Sequence, residues 1–163
     1  MSYSAGEHFN KLAKDRGYRS RAAFKLHQIN KKFKLLKKGF CVMDLGSSPG
    51  GWSQVAKELV GDSGEVFALD IIPMKPINGV EFMEFDFRDK DIKKYINLNF
   101  NVVISDIAPN ISGIAITDKE NMIELLNNVV GFCDSFLLKG GSLIAKCFES
   151  SKNGLRKSLS NHY

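Results

Sequence analysis

The stretch Phe40-Cys-Val-Met-Asp44-Leu-Gly46-Ser-Ser-Pro-Gly50-Gly-Trp52 decides how the chain folds. A short apolar run enters a turn of glycine, serine and proline, and a helical pattern over 52–60 follows. This order is typical of a buried strand that leads through a tight turn into a helix. In open parallel sheets such a turn lies at the carboxyl end of a strand, which is where ligands bind.

Strand and helix patterns alternate along the rest of the chain. Further strands are predicted over 65–71, 80–85, 101–107 and 142–148, and helices over 19–35, 89–95 and 119–138. Strands separated by helices favour right-handed crossovers, so the predicted fold class is α/β, with a mostly parallel sheet and helices on both faces. The sequence contains no internal repeat or linker, and we expect residues 1–163 to form a single domain.

Composition excludes several classes of protein. Hydrophobic residues make up 44% and charged residues 25%, which is ordinary for a soluble globular protein and argues against disorder. No apolar run approaches the roughly 20 residues of a membrane-spanning helix, so no membrane association is expected. Cys41, Cys133 and Cys147 lie far apart, which argues against a disulfide framework or a metal site. We expect a reduced, cytoplasmic protein, with a mitochondrion or another organelle as the alternative.

Positive charge is concentrated near the start of the chain. Residues 1–38 hold eleven Lys or Arg against two acids, a balance of +9, so residues 39–163 sum to −4 within the net charge of +5. Lys and Arg displace counterions from phosphates, and a basic segment on an acidic body therefore predicts a surface that binds polyanions. A solvated helix face would carry the same charges, and charge alone leaves both interpretations open.

The carboxyl ends of the first three predicted strands carry candidate ligand-binding residues. The first strand delivers Asp44 and the glycine-rich turn that begins at Gly46. The second ends at Asp70, where a carboxylate can accept hydrogen bonds from both hydroxyls of a ribose. The third is followed by Asp86, which either faces an adenine edge or caps the next helix.

The last two predicted strands carry candidate catalytic residues. The fourth ends in Asp106-Ile-Ala-Pro-Asn110, and the fifth contains Lys146 within an apolar run. Lysine is rarely buried unless it is paired. Lys146 is therefore either a catalytic amine or a lysine at an exposed strand edge.

The turn after the first strand favours a nucleoside ligand without phosphates. When the dinucleotide-binding pattern Gly-x-Gly-x-x-Gly is laid from Gly46, Ser48 replaces the second glycine, although Gly51 fits the third. That second glycine makes room for a pyrophosphate, and the turn has no basic residue. S-adenosylmethionine fits better, because Asp44 and Asp106 would suit its sulfonium cation. A methyltransferase is favoured over an NAD oxidoreductase, which remains the distant alternative.

Six segments, taken in order, resemble the FtsJ/RrmJ family of S-adenosylmethionine-dependent RNA ribose 2′-O-methyltransferases over about residues 11–148. They are RSRAAFKL from Arg19, DLGSSPGGWSQ from Asp44, DIIPM from Asp70, DFRD from Asp86, DIAPNISG from Asp106, and GGS from Gly140 with Lys146 after it. The resemblance implies a Rossmann-like class I methyltransferase fold that uses S-adenosyl-L-methionine, releases S-adenosyl-L-homocysteine and needs no metal. It also implies a cofactor pocket lined by Gly50, Trp52, Asp70, Asp86 and Asp106.

The resemblance further implies a catalytic Lys-Asp-Lys-Glu set whose first three members fall on Lys25, Asp106 and Lys146. Lys146 would act as the general base if its amine were neutral, while Lys25 and Asp106 fix its geometry. The implied substrate is a ribose 2′-hydroxyl, typically of ribosomal RNA within a large ribosomal subunit, and the implied oligomeric state is a monomer. Relatives that methylate transfer RNA leave the target RNA open.

The basic segment at about 19–38 is predicted to be an RNA-binding helix. It contains Lys25, so the helix that binds phosphates would also deliver a catalytic residue. Phosphate contacts carry no sequence information by themselves. The candidate phosphate contacts are Arg19, Arg21, Lys31, Lys32 and Lys34.

The family pattern continues after the fifth strand with a helix and an antiparallel hairpin that carries the last catalytic Glu. Leu155 and Leu159 are spaced as if that helix begins, but no hairpin segment follows in the sequence. We therefore expect the hairpin to be missing, the sheet edge to be unprotected and the last Glu to have no matching position. An RNA-binding descendant with impaired catalysis is the alternative that this departure leaves open.

Overall fold

The computed structural model of the chain describes residues 5–162, except for the side chains of residues 5, 158, 161 and 162. The ends of the predicted domain, residues 1–4 and 163, lie outside the described residues. The helices are α1 (Ala5–Asp15), α2 (Ala22–Phe33), α3 (Gly51–Val60), α4 (Ile92–Tyr95), α5 (Ala115–Phe136) and α6 (Lys152–His162), with a 3₁₀ turn at Glu149–Ser151. The strands are β1 (Cys41–Leu45), β2 (Glu65–Asp70), β3 (Val80–Glu84), β4 (Phe100–Ser105) and β5 (Leu137–Ala145).

The five strands form one sheet in the order β3-β2-β1-β4-β5, and every neighbouring pair is parallel. The chain runs outward from β1 to β3 on one side, then crosses back to place β4 on the other side of β1. The strand order therefore reverses beside β1, and the turn that follows β1 lies at this switch point. The predicted α/β class with a parallel sheet is confirmed.

The core lies on both faces of the sheet, because side chains of a strand point alternately to its two sides. On β1, Val42 belongs to the cluster beneath α2 and α3, which also contains Leu26 and Trp52. Met43 and Leu45 belong to the opposite cluster, beneath α4 and α5. A continuous apolar run such as this one indicates a strand that is covered on both faces.

Several element boundaries differ from those predicted. α5 begins at Ala115 rather than 119, because the carboxylate of Asp118 binds the amides of Ser112 and Gly113 (2.7 and 3.2 Å) and so fixes the turn before it. β5 begins directly after α5 and ends at Ala145. Lys146 therefore follows the strand, although its amide still donates to the carbonyl of Ser105 (2.9 Å).

Helix α1 was not predicted from the sequence. α2 begins at Ala22, later than the predicted residue 19. Over residues 5–162, β3 and β5 are the edge strands of the sheet. None of the helices that the structure describes has the length and apolar character needed to cross a membrane.

Candidate functional site

The turn after β1 brings the backbone close to the neighbouring strand ends. Gly46 has φ of 71°, and its amide donates to the carbonyl of Leu69 at the end of β2 (2.8 Å). A Cβ at this position would lie 2.7 Å from Cβ of Ile107, in the segment after β4. Glycine is therefore required at Gly46 both by its backbone angle and by the space available.

Gly50 closes the same turn immediately before α3. Its φ is 107°, and a Cβ there would lie 2.5 Å from Cδ1 of Ile77 and 2.8 Å from Sδ of Met74. The segment after β2 therefore packs directly on the backbone of this turn. The close fit of the two segments fixes the shape of the ligand-binding edge of the sheet.

Asp44, at the end of β1, is a fully buried acid with 1% of its surface exposed. The hydroxyl of Ser53 donates to its Oδ2 (2.6 Å). The pKa of Asp44 is raised to about 7, mainly by burial and in addition by the charges of Asp106 and Asp70, while the Ser53 hydrogen bond opposes the shift. Burial is thus the main cause of the raised pKa of Asp44, and the neighbouring acids that would attract a cation into the site add to it.

Asp70, at the end of β2, is oriented by two backbone amides. Its Oδ2 accepts a hydrogen bond from the amide of Ser48 (2.8 Å), and its Oδ1 accepts one from the amide of Ile72 (2.9 Å). Each carboxylate oxygen can accept a further hydrogen bond. The predicted contact between Asp70 and a pair of vicinal hydroxyls is therefore geometrically available.

A cavity of about 380 Å³ lies beyond the carboxyl ends of the strands, between the segments after β2, β3 and β4 and the side of α5. Cavities of this size and position are typical of small-ligand sites in α/β sheets. Of the predicted cofactor-binding residues, Gly46, Asp70 and Asp86 line it. Residues that the sequence analysis missed also line it: Asn121, Glu124 and Asn128 of α5, whose spacing along one helix face was the available signal.

Asp86 is paired with Arg88 at the wall of this cavity. Nε of Arg88 lies 2.9 Å from Oδ1, Nη2 lies 2.6 Å from Oδ2, and the Arg88 amide also donates to Oδ1 (2.9 Å). These hydrogen bonds hold the pKa of Asp86 below its usual value. The carboxylate is therefore ionised and oriented, with 36% of the side chain still exposed. The Arg88 amide contact is of the capping type and Asp86 also lines the cavity, so the predicted ligand contact stays a prediction.

Lys146 and Asp106 form an ion pair between the ends of β4 and β5. Nζ of Lys146 lies 2.9 Å from Oδ1 of Asp106 and also donates to the main-chain carbonyl of Asp106. The Oδ1 contact is an ion pair without aligned hydrogen-bond geometry. Both side chains are about three-quarters buried, with exposures of 28% and 23%. Lys146 is therefore paired and mostly buried, and it is not a lysine at an open strand edge.

Lys25 lies on α2 with its side chain exposed to solvent. No ion pair joins Lys25 to Asp106 among the side chains that the structure describes. The structure thus brings together two members of the implied catalytic set and leaves the third on the neighbouring helix.

The ring of Trp52 does not line this cavity. It is 3% exposed, it belongs to the core cluster beneath α2 and α3, and its indole Nε1 donates to the carbonyl of Ala22 (2.9 Å). Trp52 therefore anchors the start of α2 to the start of α3. Three other predicted cofactor-binding residues also do not line the cavity: Asp44, Gly50 and Asp106.

Arg19, predicted to contact phosphates, is instead engaged with the backbone. Its guanidinium donates to the carbonyls of Pro49, Lys75 and Pro76 (3.2, 2.5 and 2.7 Å). It therefore clamps the turn after β1 to the segment after β2, and these donors are not free for RNA. The other four predicted phosphate contacts are exposed: Arg21, Lys31, Lys32 and Lys34.

The N-terminal segment docks on α3 through polar contacts that the sequence analysis also missed. The hydroxyl of Tyr18 donates to Glu58 and lies equally close to Nε2 of His27 (both 2.8 Å). Gln54 binds the amide of Arg19 and the carbonyl of Gly17 (both 2.9 Å). Among the described residues, no group of three or more His, Cys, Asp or Glu side chains could hold a metal ion.

Comparison with known proteins agrees with this architecture. Residues 18–163 match the model of the FtsJ-like methyltransferase family. The chain is 45% identical over 150 residues to ribosomal RNA large subunit methyltransferase E of Neisseria meningitidis, covering 89% of this chain and 73% of the relative. A ribosomal RNA methyltransferase structure from Plasmodium falciparum superposes with a TM-score of 0.80 at 29% identity, over 88% of this chain and 86% of that one.

Aeropyrum pernix fibrillarin, which was solved with S-adenosyl-L-methionine bound, shares the fold. Its TM-score is 0.62 at 13% identity, and the likeness covers 85% of this chain and 64% of that one. The parallel sheet is therefore of the Rossmann-like type found in methyltransferases that bind this cofactor. The family match spans most of the chain, and the chain belongs to the FtsJ-like methyltransferase family.

Proposed function

We propose that this chain acts as one S-adenosylmethionine-dependent methyltransferase domain that methylates a ribose 2′-hydroxyl of RNA, with large-subunit ribosomal RNA as the favoured substrate. The observation that carries the proposal is the Lys146–Asp106 ion pair (2.9 Å) at the strand ends, beside the cavity at the switch point of the sheet. The relative from Neisseria meningitidis, named for large-subunit ribosomal RNA, supports this choice of substrate.

The residues around the cavity fit S-adenosyl-L-methionine. Asp70 would accept hydrogen bonds from the ribose hydroxyls, Asp86 would accept one from the adenine amine, and Gly46 allows the backbone to approach closely. Asp106 supplies negative potential for a cation, and a bound cation would favour the ionised form of Asp44. When bound, the cofactor provides an electrophilic methyl group on a sulfonium, and S-adenosyl-L-homocysteine is the product.

Lys146 and Asp106 would position the attacking hydroxyl. The contact with Asp106 (2.9 Å) holds Nζ of Lys146 in place, so the amine would orient the 2′-oxygen while Asp106 fixes the direction of the amine. The hydroxyl releases its proton as its oxygen accepts the methyl group, and the neutral amine of Lys146 would accept that proton as the general base. Most of the remaining rate enhancement comes from holding the oxygen in line with the methyl group.

The exposed basic face of α2 would bind the RNA backbone. Arg21, Lys31, Lys32 and Lys34 are exposed there, and such contacts position RNA without reading its sequence. We propose that the protein acts as a monomer on the large ribosomal subunit, in the cytoplasm or in an organelle that has its own ribosomes. Transfer RNA is the second candidate substrate.

The test is methyl transfer from labelled S-adenosylmethionine to large ribosomal particles and to bare transfer RNA. Wild-type protein, Lys146→Ala and the control Lys93→Ala, which changes an exposed lysine on α4, are compared. We expect labelled ribosomal RNA, a loss of about 10²–10⁴-fold in turnover for Lys146→Ala with unchanged cofactor binding, and no loss for the control.

Three other outcomes would change the proposal. Near-normal turnover by Lys146→Ala would contradict the role of Lys146. Preferential labelling of transfer RNA would replace the substrate. Cofactor binding without transfer to either RNA would favour the descendant with impaired catalysis.

A further inference from the structure

A second concave surface lies at the opposite end of the sheet from the cofactor cavity. It is a groove of about 290 Å³ beside the starts of β1, β4 and β5. We call it the lysine groove, defined by Lys34, Lys37, Lys139, Phe33 and Phe40. Since the strands are five to nine residues long and rise about 3.3 Å per residue, this groove lies on the order of 20 Å from the Lys146–Asp106 pair.

The groove is basic because three separate segments each place a lysine there. Lys34 caps α2, Lys37 lies in the loop before β1, and Lys139 lies near the start of β5. No Asp or Glu occurs among the described residues that line it. A helix C-terminus attracts cations and so accounts for Lys34, but it does not account for Lys37 or Lys139, which belong to other elements.

Two aromatic rings border these lysines. Phe33 is 57% exposed, and Nζ of Lys32 lies 5.1 Å from the centre of its ring. Nζ of Lys37 lies 5.8 Å from the centre of the Phe40 ring. An exposed ring beside cations is the combination on which proteins stack bases of single-stranded nucleic acid while holding its phosphates.

Helix α2 connects the two ends of the sheet. The carbonyl of its first residue, Ala22, binds Trp52 at the start of α3, next to the turn that follows β1. Its last residue, Phe33, borders the lysine groove. The helix spans about 18 Å, at 1.5 Å for each of its 12 residues. Its exposed Lys25, Lys31 and Lys32 therefore lie along a path from the catalytic end to the groove.

We propose that the lysine groove is a second RNA-binding site that holds a single-stranded segment of the substrate RNA away from the methylated nucleotide. Lys34, Lys37 and Lys139 would contact its phosphates, and Phe33 would stack on a base. This inference rests on the proposed function, because it takes the occupant to be the RNA that is methylated. Contacts so far from the reacting atoms strengthen RNA binding and leave the chemical step unchanged.

The experiment compares a groove variant, Lys34→Gln/Lys37→Gln/Lys139→Gln, with a control variant, Lys90→Gln/Lys93→Gln/Lys94→Gln. Both remove three positive charges from exposed lysines, so net charge is matched. Binding to large-subunit ribosomal RNA is measured as a function of salt, and KM, kcat and the Kd for S-adenosylmethionine are measured with ribosomal particles. Thermal unfolding confirms that both variants are folded.

In the groove variant we expect KM for RNA to rise at least tenfold, with kcat and cofactor Kd unchanged. The slope of log Kobs against log salt should become less negative by about 2 to 3, since each lost phosphate contact removes about 0.7 to 0.9 from its magnitude. The control variant should keep the wild-type slope. Phe33→Leu should weaken RNA binding without changing the slope, because stacking releases no counterions.

Equal effects of the two triple variants would overturn the inference, because net charge would then explain them. A lower kcat or weaker cofactor binding in the groove variant would also overturn it, since the lysines would then be structural. Failure of the wild-type protein to methylate RNA would refute the proposed function instead. The salt slopes would still decide whether the groove binds RNA.

Discussion

Replacing the buried carboxylate of Asp44 should change how the stability of the protein depends on pH. Asp44 is 1% exposed, and burial together with Asp106 and Asp70 raises its pKa from 3.8 to about 7. Below about pH 3 the group is protonated in both the folded and the unfolded chain, so its burial does not depend on pH there. As pH rises toward 7 the unfolded chain releases the proton and the folded chain retains it, so the free energy of unfolding falls.

The magnitude follows from the size of the shift. A shift of about three pKa units corresponds to about 4 kcal/mol when it is fully expressed above pH 7, at about 1.4 kcal/mol per unit. Between pH 5 and pH 7 this group alone should lower the free energy of unfolding by about 2 kcal/mol. Asp44→Asn removes the ionisation. The difference in free energy of unfolding, variant minus wild type, should therefore increase by about 2 kcal/mol from pH 5 to pH 7.

The assay is urea unfolding of both proteins, without cofactor, at pH 5, 6, 7 and 8. The difference in free energy of unfolding between the two proteins is followed against pH. Only its change with pH is interpreted, because the part that does not depend on pH also contains the altered contact with Ser53. Asp62→Asn, at an exposed position, serves as the control and should show no such trend. A difference that does not vary with pH would refute the reasoning, since Asp44 would then be ionised in the folded protein throughout.

Three further predictions concern the cofactor and the turn. The affinity for S-adenosylmethionine should rise from pH 6 to pH 8 more steeply than the affinity for S-adenosylhomocysteine, because the sulfonium lowers the pKa of Asp44. The extra gain is up to about tenfold for each unit by which that pKa falls. Calorimetric titration of both compounds against pH tests this, and identical pH profiles would contradict it. Trp52→Phe should destabilise the protein by about 1–3 kcal/mol, because the buried hydrogen bond from the indole to the carbonyl of Ala22 is lost and the smaller ring leaves core space unfilled; chemical unfolding measures the loss. Gly50→Ala should cost about 1–3 kcal/mol, because its φ of 107° and the contact with Met74 both oppose a side chain; thermal unfolding with an unchanged midpoint would argue against this packing.

The parallel sheet and the position of its ligand site could be predicted from the sequence. Apolar runs that end in glycine-rich or proline-containing turns mark the strands, and parallel strands place their carboxyl ends at one edge. Asp70 and Asp86 could therefore be assigned to the cavity from their positions in the chain. Asp106 and Lys146 could likewise be placed close together, because each follows the end of a predicted strand.

The direction of individual side chains could not be predicted, because it depends on what packs against them. Trp52 follows the turn of the site in sequence, yet its ring points into the core, since α2 lies across it and Ala22 accepts its hydrogen bond. Arg19 belongs to a basic segment, yet three backbone carbonyls from distant segments use its donors. The side chains of both residues stabilise the fold, although their residue types suggested contacts with a ligand.

The proposed methyl acceptor is a ribose 2′-oxygen and not a base. The most direct measurement is alkaline hydrolysis of RNA that the protein has labelled from S-adenosylmethionine, followed by separation of the fragments by size. A methylated 2′-oxygen cannot attack the adjacent phosphate, so we predict that the label appears in an alkali-resistant dinucleotide and is absent with Lys146→Ala. Label in single nucleotides would show methylation of a base and would contradict a ribose 2′-oxygen as the acceptor.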